Sequence, residues 1–155
     1  MSTTMRYPLF CGFREVVVGR KFAAGVELNG RALAEKEQGG WWLYGVNPGA
    51  IAGSGMDLSA AVADFRLRLK GVLFDFAADA DDFECFRKEV LAFFKSSDAE
   101  TEAEWQAARD LVRAGKVDLK GMRKEKAERP RSARVVLLKL APQENVLDKG
   151  ASLAA

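Results

Sequence analysis

Histidine occurs at none of the 155 positions of this chain, and that absence narrows the available chemistry before any motif is read. It removes Ser-His-Asp and Cys-His nucleophiles, histidine metal ligation and the side chain that most readily moves protons near neutral pH. Carboxylates, two thiols, cations and aromatic rings remain. The densest carboxylate group, Asp79, Asp81, Asp82 and Glu84, offers oxygen donors to a hard cation but lacks the glycine and terminal glutamate spacing of an EF-hand loop. It reads as the start of a helix, where the helix dipole favours negative charge. The glycine-rich run Gly49 to Gly55 precedes a helix, as phosphate-binding loops do. It carries neither the lysine-hydroxyl end of a P-loop nor the GxGxxG spacing of a dinucleotide site, and reads as a tight strand-to-helix connection. Cys11 and Cys85 match no zinc or redox spacing and read as reduced thiols among apolar neighbours. The sequence therefore predicts no catalytic residue, no metal ion and no cofactor, and points to a protein that acts by binding.

Three groups of residues are candidates for that binding. Trp41, Trp42 and Tyr44 fall on one extended segment, so Trp42 and Tyr44 share a face and Trp41 points the other way. They either fill the core or form an exposed aromatic anchor of the kind found at the centres of protein interfaces. Asp81, Asp82, Glu100 and Glu104 belong to a strongly acidic stretch, with ten acidic and three basic residues between Asp75 and Glu104. Such a surface suits a basic partner, since complementary charge speeds encounter and discriminates among partners. The basic counterpart runs from Lys116 to Arg134, with eight basic and three acidic residues. Lys116, Lys120, Arg123, Lys124, Arg129, Arg131 and Arg134 are its candidate contacts to phosphates or to an acidic protein. With no aromatic ring for base stacking, this segment reads as an electrostatic tether or a solvated linker, not a sequence-specific reader. A third reading folds it back on the acidic helix around Glu100 to Glu104.

The elements that position these residues follow from turn chemistry and periodicity. Glu15 to Val18 reads as an edge strand closed by Gly19. Phe22 to Leu28 reads as a strand, Asn29-Gly30 as a two-residue hairpin turn, and Arg31 to Glu37 as the returning strand. Gln38-Gly39-Gly40 turns the chain into the aromatic strand Trp41 to Val46. Asn47-Pro48-Gly49 ends that strand, and Ala50 to Ala52 adds a short fourth. Asp57 caps a long helix with Leu58, Val62, Phe65, Leu69, Val72 and Phe76 on its buried face. Gly71 in its later part marks a kink, a buried end or a change to strand. A second helix carries Phe83, Phe86, Val90 and Phe93 or Phe94. A third, from about Ala99 to Ala114, buries Trp105, Ala108, Leu111 and Val112 and stops at Gly115. Val135 to Leu140 reads as a late strand that either extends the sheet or pairs with a second copy.

The expected fold is α+β: an antiparallel sheet of three to four strands packed by a long helix, then two further helices and a C-terminal strand. Its segments are a core over 1–78, an acidic helical pair over 79–115, a basic segment over 116–134, and a strand with a polar tail over 135–155. The length suits one domain with appendages. No run approaches the ~20 apolar residues of a membrane helix and the N-terminus lacks a signal-peptide core, so the expected location is cytoplasmic and no membrane partner is expected. Exposed strand edges point to a homodimer.

The order Gly39-Gly40-Trp41-Trp42, Pro48-Gly49-Ala50-Ile51-Ala52, Gly55 and a helix from Asp57 resembles the HicB-like antitoxin family over residues 22–72. The resemblance implies a partial ribonuclease-H-like sheet of three or four strands with one helix across it. It also implies a role in binding and masking a small RNA-cleaving toxin, without catalysis. The family commonly ends in a DNA-binding module, for which the residues after Pro142 are too few. The other readings are an inhibitor or immunity-type protein of a mobile element, a nucleic-acid-binding accessory protein acting through 116–134 and, third, a metal-dependent enzyme.

Overall fold

The computed structural model describes residues 5–118, 121–122 and 131–138. Five strands form one antiparallel sheet: β1 (Met5–Val18), β2 (Ala23–Glu37), β3 (Gly40–Asn47), β4 (Ala52–Gly55) and β5 (Ser132–Leu137). Three helices follow β4 in the chain: α1 (Leu58–Asp79), α2 (Phe83–Lys95) and α3 (Ala99–Arg113). The α+β class is as the sequence predicts.

The first hairpin is not where turn chemistry placed it. Asn29-Gly30 forms no turn; β2 runs straight through both residues and pairs with β1 in one uninterrupted register from Met5↔Lys36 to Val18↔Ala23. The reversal lies earlier, at 19–22, where the Gly19 amide donates to the Phe22 carbonyl at 2.8 Å. The Phe22 ring, packed 5.2 Å from Phe86 and 6.1 Å from Phe83, anchors this end of the hairpin to α2.

Gly30 has a different task. On the side away from β1, the first half of β2 pairs with β5 (Ala24↔Leu137 to Asn29↔Ser132) and the second half with β3 (Arg31↔Asn47 to Glu37↔Gly40). The sheet forks between them, with a register shift at Arg31/Ala32. A Cβ on Gly30 would sit 1.8 Å from the Asn47 carbonyl oxygen, so glycine is needed here for close backbone approach, not for a turn. The late strand thus extends the N-terminal sheet, one of the two pairings left open by the sequence, and starts at Ser132 rather than Val135.

Two more strands differ from the sequence reading: β1 reaches back to Met5 from the expected start at Glu15, and β4 occupies Ala52–Gly55 instead of Ala50 to Ala52, so Gly53 to Gly55 are strand and not connection. The remaining elements lie where expected. Gly39 takes φ 93° in the turn between β2 and β3. Asp57, Asp82 and Asp98 cap the three helices by accepting from the amides of Ala60, Cys85 and Thr101. α1 is one continuous helix through Gly71, with Ala61, Phe65, Leu69, Leu73 and Ala77 at i, i+4 spacing on its fully buried line. Gly115, at φ 70°, follows the end of α3. The predicted burial of Leu111 is not met: it is half exposed, and Arg109 takes the buried position beside Trp105 and Ala108.

The sheet is covered on both faces. Ala24, Val26, Leu28, Ala32 and Ala34 of β2 meet α1 and α2 in the main core, with Phe65, Leu69, Phe86 and Val90. On the opposite face a smaller core joins Leu33, Val46, Phe10, Trp105 and Ala108 under α3. The sheet curls so far around α1 that this helix reaches both edge strands: Asp64 accepts from the Ser54 amide of β4, and Arg66 donates to the Gly12 carbonyl of β1.

Candidate partner-binding surface

Period-two alternation along β3 sets the geometry of the aromatic candidates. Val46, Tyr44 and Trp42 lie on the α3 face and Trp41 on the other. Trp41 packs against the main core with its ring 5.5 Å from Tyr7, while the Lys36 ammonium lies 6.0 Å over it. On the α3 face, cover declines along the strand: Val46 is fully buried, Tyr44 half-buried and Trp42 40% exposed. The neighbours of Tyr44 and Trp42 on β4 are Ala52 and Ser54, too small to roof the rings. The rings therefore stack on each other, centroids 6.1 Å apart and planes 11° from parallel, as an open aromatic platform.

Carboxylates surround this platform. The register places Glu35 opposite Trp42 and Leu33 opposite Tyr44, so Glu35 and Glu37 share the platform's face. Burial first, then the charges of Glu35, Glu37 and Glu104, push the Tyr44 phenol above its usual range. Glu35 is held by Arg6 at 2.9 Å. Of the residues singled out from sequence, the fold thus brings Trp42, Tyr44 and Glu104 together. Glu35 and Glu37 were not singled out. Their signal is the register across the Gly39 turn, which sets Glu35 opposite Trp42 and Glu37 opposite Gly40.

The remaining acidic candidates lie elsewhere. Asp82 caps α2, and the bond from the Cys85 amide holds its carboxyl below the usual range. With its exposed neighbour Asp81 it sits beside the Phe22 end of β2, whereas Trp42 pairs near the Glu35 end, about 40 Å of strand away at ~3.3 Å per residue. Glu100 is exposed in the first turn of α3. Of the basic candidates, Lys116 is exposed after α3, and Arg131 and Arg134 are exposed at the start of and within β5. Lys120, Arg123, Lys124 and Arg129 fall outside the described residues.

A buried ionic node at the fork holds α3, and with it Glu104, against the sheet. Arg31, 2% exposed, donates to Asn47 Oδ1 through Nε at 3.1 Å and Nη2 at 2.8 Å, and to Glu102 at 2.7 Å. Its guanidinium lies 4.8 Å over the Trp105 ring, which also carries Arg109 at 5.4 Å. The bond from Arg31 lowers the pKa of Glu102, and Arg131, 3.7 Å away, adds to this. Arg31 escaped the sequence reading because it was assigned to the start of a returning strand.

No cluster of three or more potential metal ligands exists among the described residues. Among them, too, no helix is long and apolar enough to cross a membrane. The glycine-rich run is occupied structurally: Gly53 lies against the α1 backbone, where a Cβ would come 2.5 Å from the Phe65 nitrogen. Comparison with protein-family models, with curated proteins and with solved structures found no match to this chain.

Proposed function

We propose that this protein acts by binding, in the manner of an antitoxin, and that the Trp42–Tyr44 platform receives the basic surface of a small protein partner such as an RNA-cleaving toxin. The observation carrying this reading is the conjunction at one place of a solvent-facing aromatic stack with the carboxylates of Glu35, Glu37 and Glu104. Aromatic faces attract guanidinium and ammonium groups, and the carboxylates add long-range attraction for a cationic partner. Flat, half-buried aromatic rings are also the side chains that most often dominate an interface energetically. The resemblance to HicB-like antitoxins over residues 22–72 agrees with such a role.

The test is co-expression with the product of the adjacent gene. The expected result is rescue of growth from a toxic neighbour and co-purification of the two proteins, both lost with Trp42→Ala in a chain that melts normally. A harmless neighbour that does not co-purify refutes the antitoxin role. Binding of DNA or RNA that falls steeply with salt and is lost on replacing Arg131 and Arg134 would move the function to the basic segment.

A further inference from the structure

β1 is a long strand with a neighbour on one side only: among the described residues it pairs with β2 and nothing else. Folded proteins usually blunt such edges. The opposite edge, β4, is four residues long and has its Ser54 amide taken by Asp64, a carboxylate steadied by Arg68 at 3.0 Å. Among the described residues, β1 has no comparable protection along its second half.

Two observations tell which of its backbone groups face outward. Pro8 cannot donate a ladder bond, and proline in an edge strand occupies a position whose nitrogen faces away from the sheet. Gly12, of the same parity in an unbroken register, has its carbonyl oxygen reached by Arg66 of α1 at 3.3 Å. Even-numbered residues therefore present their backbone to the open side. Arg66 supplies, from a side chain, the donor that a neighbouring strand would supply from its backbone. Beyond Gly12, the outward backbone groups of Arg14, Val16 and Val18 meet no neighbouring strand among the described residues.

A groove of about 540 Å³ runs beside this stretch, between β1 and α1. Its α1 wall includes Leu67, which is 67% exposed although it is a large apolar residue. Arg66 and Lys70 flank it. On the α3 face of the sheet, Val16 and Val18 are also more than half exposed. An added strand would thus meet Val16 and Val18 with Arg14 on one face, and Leu67 with Arg66, Lys70 and Glu15 on the other.

The charges choose the occupant. Arg14, Arg66 and Lys70 stand against Glu15 and Glu27, and the pairings Lys70–Glu15 at 3.8 Å and Arg14–Glu27 at 3.4 Å join side chains largely open to water. Pairing β1 with β1 of a second copy about a two-fold axis would bring together two linings that each carry three cations against two carboxylates, an excess of positive charge that disfavours self-pairing. We propose that the β1 edge and the groove beside α1 bind an extended acidic segment of another protein, which joins the sheet as an additional strand with alternating apolar and acidic side chains. Main-chain hydrogen bonds hold such a segment, and the alternate side chains confer selectivity. This site is separate from the Trp42–Tyr44 platform and does not depend on it.

The test uses the full chain and two fluorescent peptides, one alternating valine with glutamate and the other valine with lysine, followed by anisotropy at low salt. The glutamate peptide is expected to bind at least about tenfold more tightly. Val16→Pro should weaken it by a similar factor, and Lys70→Glu should reverse the preference. Amide exchange on the unaltered protein gives a readout independent of how the variants fold: the Arg14 and Val16 amides should exchange rapidly alone and become protected by the glutamate peptide. The inference is overturned if neither peptide binds, if both bind equally, or if a folded Val16→Pro variant binds undiminished. It is equally overturned if those two amides are already protected in the free protein, including by a dimer detected in sedimentation.

Discussion

Replacing Arg31 with methionine should loosen the join between α3 and the sheet, and its cost follows from the groups left behind. Asn47 is 8% exposed and its side-chain oxygen accepts two bonds from the guanidinium. Left without a donor in that position, it costs about 1–3 kcal/mol. Glu102 loses its 2.7 Å partner but is 36% exposed, so water takes over and its share is at most about 1 kcal/mol. Loss of the stack on Trp105 adds about 1 kcal/mol. Methionine returns part of this by filling the same apolar space with a flexible chain. The net effect is a destabilisation of about 2–4 kcal/mol. For a chain of 155 residues, at about 2–4 °C per kcal/mol, the melting temperature should fall by about 5–15 °C. Circular dichroism melting at neutral pH measures it, with Arg14→Met, at a pair with Glu27 whose side chains are 81% and 39% exposed, as the control that moves little. A fall below about 3 °C for Arg31→Met would refute the reasoning, because the node would then be dispensable.

Glu102→Gln tests the same node through pH. The carboxylate is lowered in the folded chain, so its contribution is complete above the ordinary value of 4.5 and disappears as pH falls through the folded one. The stability gap between wild type and Glu102→Gln should therefore be widest near neutrality and close in acid, as read by urea unfolding at several pH values; an unchanged gap in strong acid would contradict it. Two glycines should respond oppositely to alanine. Gly53→Ala forces a Cβ to within 2.5 Å of the α1 backbone and should cost about 1–3 kcal/mol or more. Gly71→Ala meets nothing within 4 Å inside a helix and should stabilise by about 0.5–1 kcal/mol; melting both variants checks the pair. Trp42→Ala should leave the melting temperature nearly unchanged, since that ring is 40% exposed, while weakening a basic partner by about tenfold or more in a titration.

The sequence alone determined the features that depend on near neighbours in the chain. The capping aspartate at 57, the acidic helix start around Asp82, helix stripes at three- and four-residue spacing, the turn at Gly39 and the opposed faces of Trp41 and Trp42 are local physics, and each was legible. Lack of histidine likewise removed whole classes of chemistry. Tertiary structure decided what depends on approach between distant segments. Asn29-Gly30 has the composition of a hairpin turn, yet Gly30 is a contact point for the Asn47 carbonyl, because β1 pairs through both residues without a break while β5, more than a hundred residues away in sequence, pairs as far as Asn29. Packing of the distant α3 on the sheet brought Glu104 to the Trp42–Tyr44 platform and buried Arg31 under Trp105. Local preferences contribute about a kilocalorie per mole at each position, whereas pairing one long central strand on both sides engages many positions at once, so the collective term prevails.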